Sequence, residues 1–211
     1  EERRGLQKRK SGLYLLDPAT GQSRALIEPG TYTIRATMPF DGNTVFVQMA
    51  EEGQHTYYSG DLYAVDLESG EKRRLCAFEH SLFDAVNTDA YMGSGRTDRS
   101  DGGKLWVTVG DGDDCCLRTL DAEGRLSDRL CSPGSVQCFD VRGGRAVLAA
   151  ARGNRLTELY SLDENGCEKQ LTHFNDWVLE EYEVSTPKPL SFTDHEGFEI
   201  HGWIMEPAGY E

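Results

Sequence analysis

The chain has 211 residues, enough for one large domain or two small ones, and 38% of them are apolar. Its 22 Lys and Arg against 36 Asp and Glu give a formal net charge of −14, which repels a nucleic-acid backbone and an anionic membrane surface alike. No run approaches 18 consecutive apolar residues, so no membrane-spanning helix is expected and the reading is a dispersed cytoplasmic protein.

The opening Glu1-Glu2-Arg3-Arg4, without Met or an apolar stretch, reads as a start inside a longer protein, from which a signal sequence could have been lost. The first structural phrase is Leu13-Tyr14-Leu15-Leu16-Asp17, followed by Pro18-Ala19-Thr20-Gly21. It returns as Leu62-Tyr63-Ala64-Val65-Asp66 with Gly70, Leu117-Arg118-Thr119-Leu120-Asp121 with Gly124, and Leu159-Tyr160-Ser161-Leu162-Asp163 with Gly166. The closing Asp residues are 49, 55 and 42 positions apart, the period of a propeller blade. Physically, each phrase is a strand buried on one or both faces. Its Asp starts a turn by bonding its own backbone, and the Gly takes the positive φ that ends it. A polar outer strand follows, such as Glu71-Lys72-Arg73-Arg74-Leu75 or Glu168-Lys169-Gln170-Leu171, and its charges protect the edge.

Two further strands precede each hairpin. In the second unit they are Tyr32 to Thr37 and Thr44 to Met49, joined at Asp41-Gly42-Asn43. The third unit has Lys104 to Val109 as its second strand and a first strand near Phe83 to Thr88. The fourth has Val136 to Val141 and Arg145 to Ala150, joined at Gly143-Gly144. The first unit shows only its last two strands. No helical period intervenes, so the expected fold is all-β: about three and a half four-stranded antiparallel blades of a β-propeller. A sandwich or barrel has no need of this four-strand period. Such an arc leaves sheet edges and a blade flank open, so self-association is expected, with two copies supplying seven blades.

After Leu171 the pattern changes, dividing the chain into a partial propeller over 1–176 and a crossover strand with a hairpin over 177–211. The crossover runs from Trp177 to Val184, Ser185-Thr186-Pro187-Lys188-Pro189 forms a linker, and Leu190 to Pro207 forms a hairpin turning at Glu196-Gly197.

The phrase Gly197-x-x-Ile200-His201-Gly202-Trp203-x-x-x-Pro207 resembles the joint between propeller and α/β-hydrolase domain in the prolyl oligopeptidase family of serine peptidases. The family carries an aspartate-glycine turn there, whereas this chain sets His195-Glu196 between its Asp194 and Gly197. Ala85-Val86-Asn87-Thr88-Asp89 with Gly93-x-Gly95-Arg96 is similar to the acylaminoacyl-peptidase-like branch. So are Gly134-Ser135-Val136-x-x-Phe139-Asp140-Val141, Glu158-Leu159-Tyr160 and Gln170-Leu171-Thr172-x-Phe174-Asn175. The resemblance implies a propeller that gates a peptidase acting on short peptides, with the hairpin leading towards an α/β-hydrolase domain outside these 211 residues. The alternative is a free-standing TolB-like scaffold, which has no need of the glycine-tryptophan hairpin.

The family's nucleophile sits in a G-x-S-x-G elbow, and the sequence has none, so no catalytic residue is assigned and the chain itself is expected to be inert. Ser191, Asp194 and His195 do not read as a triad, because neighbouring strand positions point to opposite faces. His173 and His201 read as surface and hairpin residues. Asp111-Gly112-Asp113-Asp114 lacks the length and closing Glu of a calcium loop. The six cysteines, at 76, 115, 116, 131, 138 and 167, form no C-x-x-C pair and read as reduced thiols, so neither metal nor cofactor is expected. Dipeptidyl-peptidase relatives use paired Glu residues after an aspartate-tryptophan phrase to hold a substrate's amino terminus. Here Glu180-Glu181 follows Asp176-Trp177 at the crossover rather than inside a blade, and reads as coincidence. The substrate-facing candidates are Arg96, in a Gly-rich loop from which it could reach a peptide carbonyl or carboxylate, and Glu51 and Glu52 between two blade strands.

Overall fold

A computed structural model describes residues 11–51, 54, 58–83 and 97–210. The repeated phrase forms the third strand of each unit: β1 (Ser11–Leu16), β4 (Asp61–Asp66), β9 (Asp114–Leu120) and β12 (Arg155–Leu162). The closing carboxylates fold the turns. Asp17 accepts the Ala19 amide at 2.8 Å, Asp66 the Ser69 amide at 2.7 Å, Asp121 the Arg125 amide at 2.9 Å and Asp163 the Cys167 amide at 2.8 Å. The glycine that ends each turn has φ between 70° and 79°, a region an L side chain rarely adopts.

The second blade runs β2 (Ser23–Pro39), β3 (Thr44–Glu51), β4 and β5 (Lys72–Ala77), with β1 added on the far side of β2. The sequence suggested two separate strands where β2 is one continuous strand of 17 residues. Its first half pairs with β1 and its second half with β3, and register is lost between Ile27 and Tyr32, around Pro29-Gly30.

The third blade departs further from the expected pattern. Its first strand is two pieces, β6 (Ser81–Leu82) and β7 (Asp98–Asp101), laid end to end along β8 (Lys104–Asp111). Thr108 joins them: its carbonyl accepts the Phe83 amide at 3.0 Å and its amide donates to the Thr97 carbonyl at 3.1 Å. Of the strand expected near Phe83 to Thr88, only Phe83 is described, with φ +66; positions 84–88 lie outside the described residues, which resume at Thr97. The described first strand comes from two segments, one on each side of that span. The outer strand of this blade is irregular, held by the Ser127 amide on Thr119 and the Leu130 amide on Leu117.

The fourth blade is β10 (Ser135–Arg142), β11 (Arg145–Arg152), β12 and β13 (Glu168–Gln170). Successive side chains on a strand point to opposite faces, so each blade feeds two cores. On β3, Val45, Val47 and Met49 pack with Leu26, Ile27 and Tyr63, whereas Phe46 packs with Met38, Leu62 and Leu105. On β8, Leu105, Val107 and Val109 join that second cluster, and Trp106 joins a third with Leu117, Phe139 and Leu148. The described residues are thus all-β apart from one short helix, an unclosed arc of propeller blades.

First strands of neighbouring blades line up and carry the polar joints. Ser100 Oγ donates to the Pro39 carbonyl at 2.7 Å. The Asp101 carboxylate accepts the amides of Gly143 and Gly144, at 3.0 and 2.8 Å, from the next blade's tight turn. Further out, the Cys115 amide donates to the Gly134 carbonyl at 3.0 Å, while the Gly134 amide donates to Asp114 at 2.8 Å.

Beyond β13 the expected crossover strand is replaced at its start by a helix, α1 (Asp176–Glu181), which buries none of its residues. The hairpin forms as expected from β14 (Lys188–Thr193) and β15 (Glu199–Ile204). Asp194 closes it by accepting the amides of Glu196 and Phe198, each at 2.9 Å, with Gly197 at φ +89.

Two measurements test the blade joints. In Gly134→Ala a Cβ would stand 2.3 Å from the Ala151 carbonyl oxygen at φ +128, and the loss of stability in urea should be about 3 kcal/mol or more. Asp101→Ala should lose on the order of 1 kcal/mol, discounted because the carboxylate is partly solvated. The Gly144 and Gly143 amides hold the Asp101 carboxyl below its usual range. Its contribution is therefore complete above the unfolded carboxylate's value of about 3.9 and is lost as pH falls through the folded value. Wild-type and Asp101→Ala stabilities should converge in acid; a gap that persists there counts against this joint.

Candidate functional surface

Because the first strands run side by side in one direction, the connections sort onto two ends of the arc. One end has the tight turns at Gly102-Gly103 and Gly143-Gly144. The other has the β3–β4 connection, the β8–β9 turn at Gly112-Asp113 and the β11–β12 turn at Gly153-Asn154. The chain leaves the last blade over this second end. Asn154 Nδ2 donates to Thr186 Oγ1 at 2.8 Å and to the Val184 carbonyl at 3.4 Å. A cleft of about 640 Å³ lies between Gly112-Asp113 and the hairpin residues Pro189, Ser191, His201 and Trp203.

The hairpin has two unlike faces. Register places Pro189, Ser191 and Thr193 on the same face as Trp203, His201 and Glu199. The opposite face carries Lys188, Leu190 and Phe192 with Ile204 and Ile200, and its four apolar side chains are 41–55% exposed. A contiguous exposed apolar face has the character of a contact surface.

Ion networks stiffen the end that carries the cleft. Asp111 pairs with Arg118, and Arg129 bridges Asp111 and Asp114. Deeper in, Arg152 meets both oxygens of Glu168 at 3.0 Å and stacks over the Tyr160 ring, 5.3 Å from its centre. Burial would push the Glu168 carboxyl up, but the Arg152 guanidinium and the Ser132 amide outweigh it and hold the group below its ordinary range.

Of the sequence candidates, Glu51 sits exposed at the end of β3, on the cleft-bearing end; Glu52 and Arg96 lie outside the described residues. Ser191 is cross-strand to His201, Asp194 is consumed by its own turn, and His195 is exposed in that turn, so these three assemble no triad. His173 belongs to the crossover, with Nδ1 2.8 Å from Asp176. Asp111 and Asp114 are occupied by arginines, and among the described residues no group of three or more His, Cys, Asp or Glu is placed to hold a metal. All six cysteines are free thiols, with Cys115, Cys116 and Cys131 buried. No described helix is long and apolar enough to cross a membrane. Sequence reasoning missed Glu158, which is 2% exposed on β12, although a carboxylate alternating with Tyr160 and Leu162 was a legible signal of a buried charge.

An open arc of propeller blades, followed by a separate two-faced hairpin, is the class of structure these observations define. No family model matches the chain. An uncharacterized peptidase of Bacillus subtilis is 34% identical over 65 residues, which are 31% of this chain and 10% of that protein. Among solved structures, the acylaminoacyl peptidase of Pyrococcus horikoshii matches with a TM-score of 0.66 at 20% identity, covering 93% of this chain and 28% of that one. A puromycin hydrolase matches with a TM-score of 0.59 at 25% identity, covering 89% and 28%. This chain is similar to the propeller portion of prolyl oligopeptidase family peptidases, and spans little more than a quarter of the solved chains it resembles.

The Arg152–Glu168 pair gives a third prediction. Arg152→Met strands a buried carboxylate and should lower stability by about 3–5 kcal/mol, whereas Arg152→Met with Glu168→Leu should restore most of that loss. Urea midpoints of the two variants decide it; equal losses would mean that the pair is not acting as a compensated unit.

Proposed function

We propose that this chain is the substrate-gating portion of a serine peptidase of the acylaminoacyl-peptidase or oligopeptidase type, acting on short peptides in the cytoplasm. The observation that carries the proposal is the β14–β15 hairpin, whose apolar face stands uncovered at the end of the arc where the chain leaves its last blade. A catalytic α/β-hydrolase domain following the hairpin would cover that face. The blades would then sit over its active site and filter peptides by size. The chain carries no G-x-S-x-G elbow and is inert alone in this reading. The similarity to peptidases over a propeller portion supports it, and the sequence resemblance at Gly202-Trp203 points the same way. A free-standing TolB-like scaffold leaves the hairpin's apolar face without a purpose. Nucleic acid and membranes are not partners in this reading, given the charge of −14.

Two assays test this. Short chromogenic peptides, blocked and unblocked at the amino terminus, should be untouched by this chain and turned over by the full-length protein, with loss of turnover after a serine-directed inhibitor. Turnover by the chain alone, or by neither protein, would reject the gating role. The uncovered flanks, with Tyr14 and Leu16 at one end and Val147 and Leu159 at the other, should also drive self-association of the isolated chain. Sedimentation velocity should show dimers or larger species at tens of micromolar; a strict monomer at that concentration would overturn this expectation.

A further inference from the structure

Glu158, Tyr160 and Leu162 share one face of β12, and each is 5% exposed or less. A carboxylate at such a position needs partners for both oxygens. They come from outside the sheet, from the turn by which the chain leaves the last blade. Oε2 accepts the Thr172 hydroxyl, and Oε1 accepts the Asn175 amide at 2.6 Å. The turn returns the contacts: Thr172 Oγ1 accepts the Leu159 amide at 2.9 Å, and Asn175 Nδ2 donates to the Thr157 carbonyl at 2.8 Å. Next to it, Asp176 pairs with Arg155 and with His173.

Apolar packing does not hold this segment. The helix α1 that follows buries no residue, and Phe174 and Trp177 are 74% and 48% exposed. Turn 172–175 is instead wrapped around a buried carboxylate, and the segment after it is tied at Asn154 to Val184 and Thr186.

We propose that Glu158 is a positioning residue that clamps the exit of the chain from its last blade. Through it, residues 172–176 move with that blade as one body, and the departure of the hairpin is set by polar bonds to β12. Only the identity of what the hairpin joins rests on the function proposed above. In that context, motion between propeller and attached domain pivots beyond Thr186, at Pro187 just ahead of β14, and not at the blade.

Hydrogen exchange followed by mass spectrometry on this chain tests the clamp without reference to peptidase activity. In the wild type, peptides covering 172–176 should be protected. Glu158→Leu should raise their exchange by about tenfold or more while β8, β9 and β11 keep their protection. Glu158→Gln, which retains one acceptor oxygen for the Asn175 amide, should fall between the two. If Glu158→Leu fails to fold, Thr172→Val and Asn175→Ala remove partners from the exposed side and should open the same peptides selectively. Free exchange of 172–176 in the wild type would overturn the proposal. So would no change in these variants, or a rise shared equally by all strands.

Discussion

The middle strands of a propeller blade carry apolar side chains on both faces, and only neighbouring blades can cover the two together. This constraint orders the rest of the structure. It explains why consecutive residues such as Val45, Phe46 and Val47 are all buried, a pattern that a one-sided sheet would not tolerate. It also accounts for the exposed apolar side chains. The three apolar clusters lie between units, and Tyr14, Leu16, Val147 and Leu159, on the outer flanks of the described arc, stand 39–60% exposed. Beside these cores, the polar joints at Pro39–Ser100, Asp101–Gly143 and Asp114–Gly134 add fixed points between neighbouring blades.

Much of this was legible from residues alone, because the turns carry their own chemistry. An Asp that accepts an amide two to four residues on, followed by Gly at positive φ, is a local device that works without tertiary help. It located every third strand and the terminal hairpin. The failures have a common cause, which is that tertiary context overrode the local signal. β6 and β7 make one strand from pieces that only β8 brings together. Trp177 to Glu181 reads as part of an extended crossover and folds, with Asp176, as a helix, with Asn175 fastened to β12 just ahead of it. For the candidate surface, the sequence marked out the hairpin but not Glu158 or the Arg152–Glu168 pair. Those groups gain meaning only from partners 14 to 17 residues away.

The two kinds of buried carboxylate differ in what they do. Glu168 answers a buried guanidinium inside the last blade, so the pair is a closed account of charge. Glu158 is satisfied by an amide and a hydroxyl of a segment with no core of its own, so it organises something external to the sheet. The first stabilises a blade, and the second decides where the chain goes next. That difference matters for a chain similar to only a quarter or so of the peptidases it resembles, because the route out of the last blade is where a further domain would be hung.

The first strand of the third blade is assembled from two pieces that meet on one residue. Thr108 takes the end of the first through its carbonyl and the start of the second through its amide, and β8 fixes the register of both. That register is written in β8 and not in the number of residues that separate β6 from β7 along the chain. Lengthening a segment between fixed ends costs only about 0.6 kcal/mol per doubling. The pairing of both pieces is therefore insensitive to how many residues the sequence places between them.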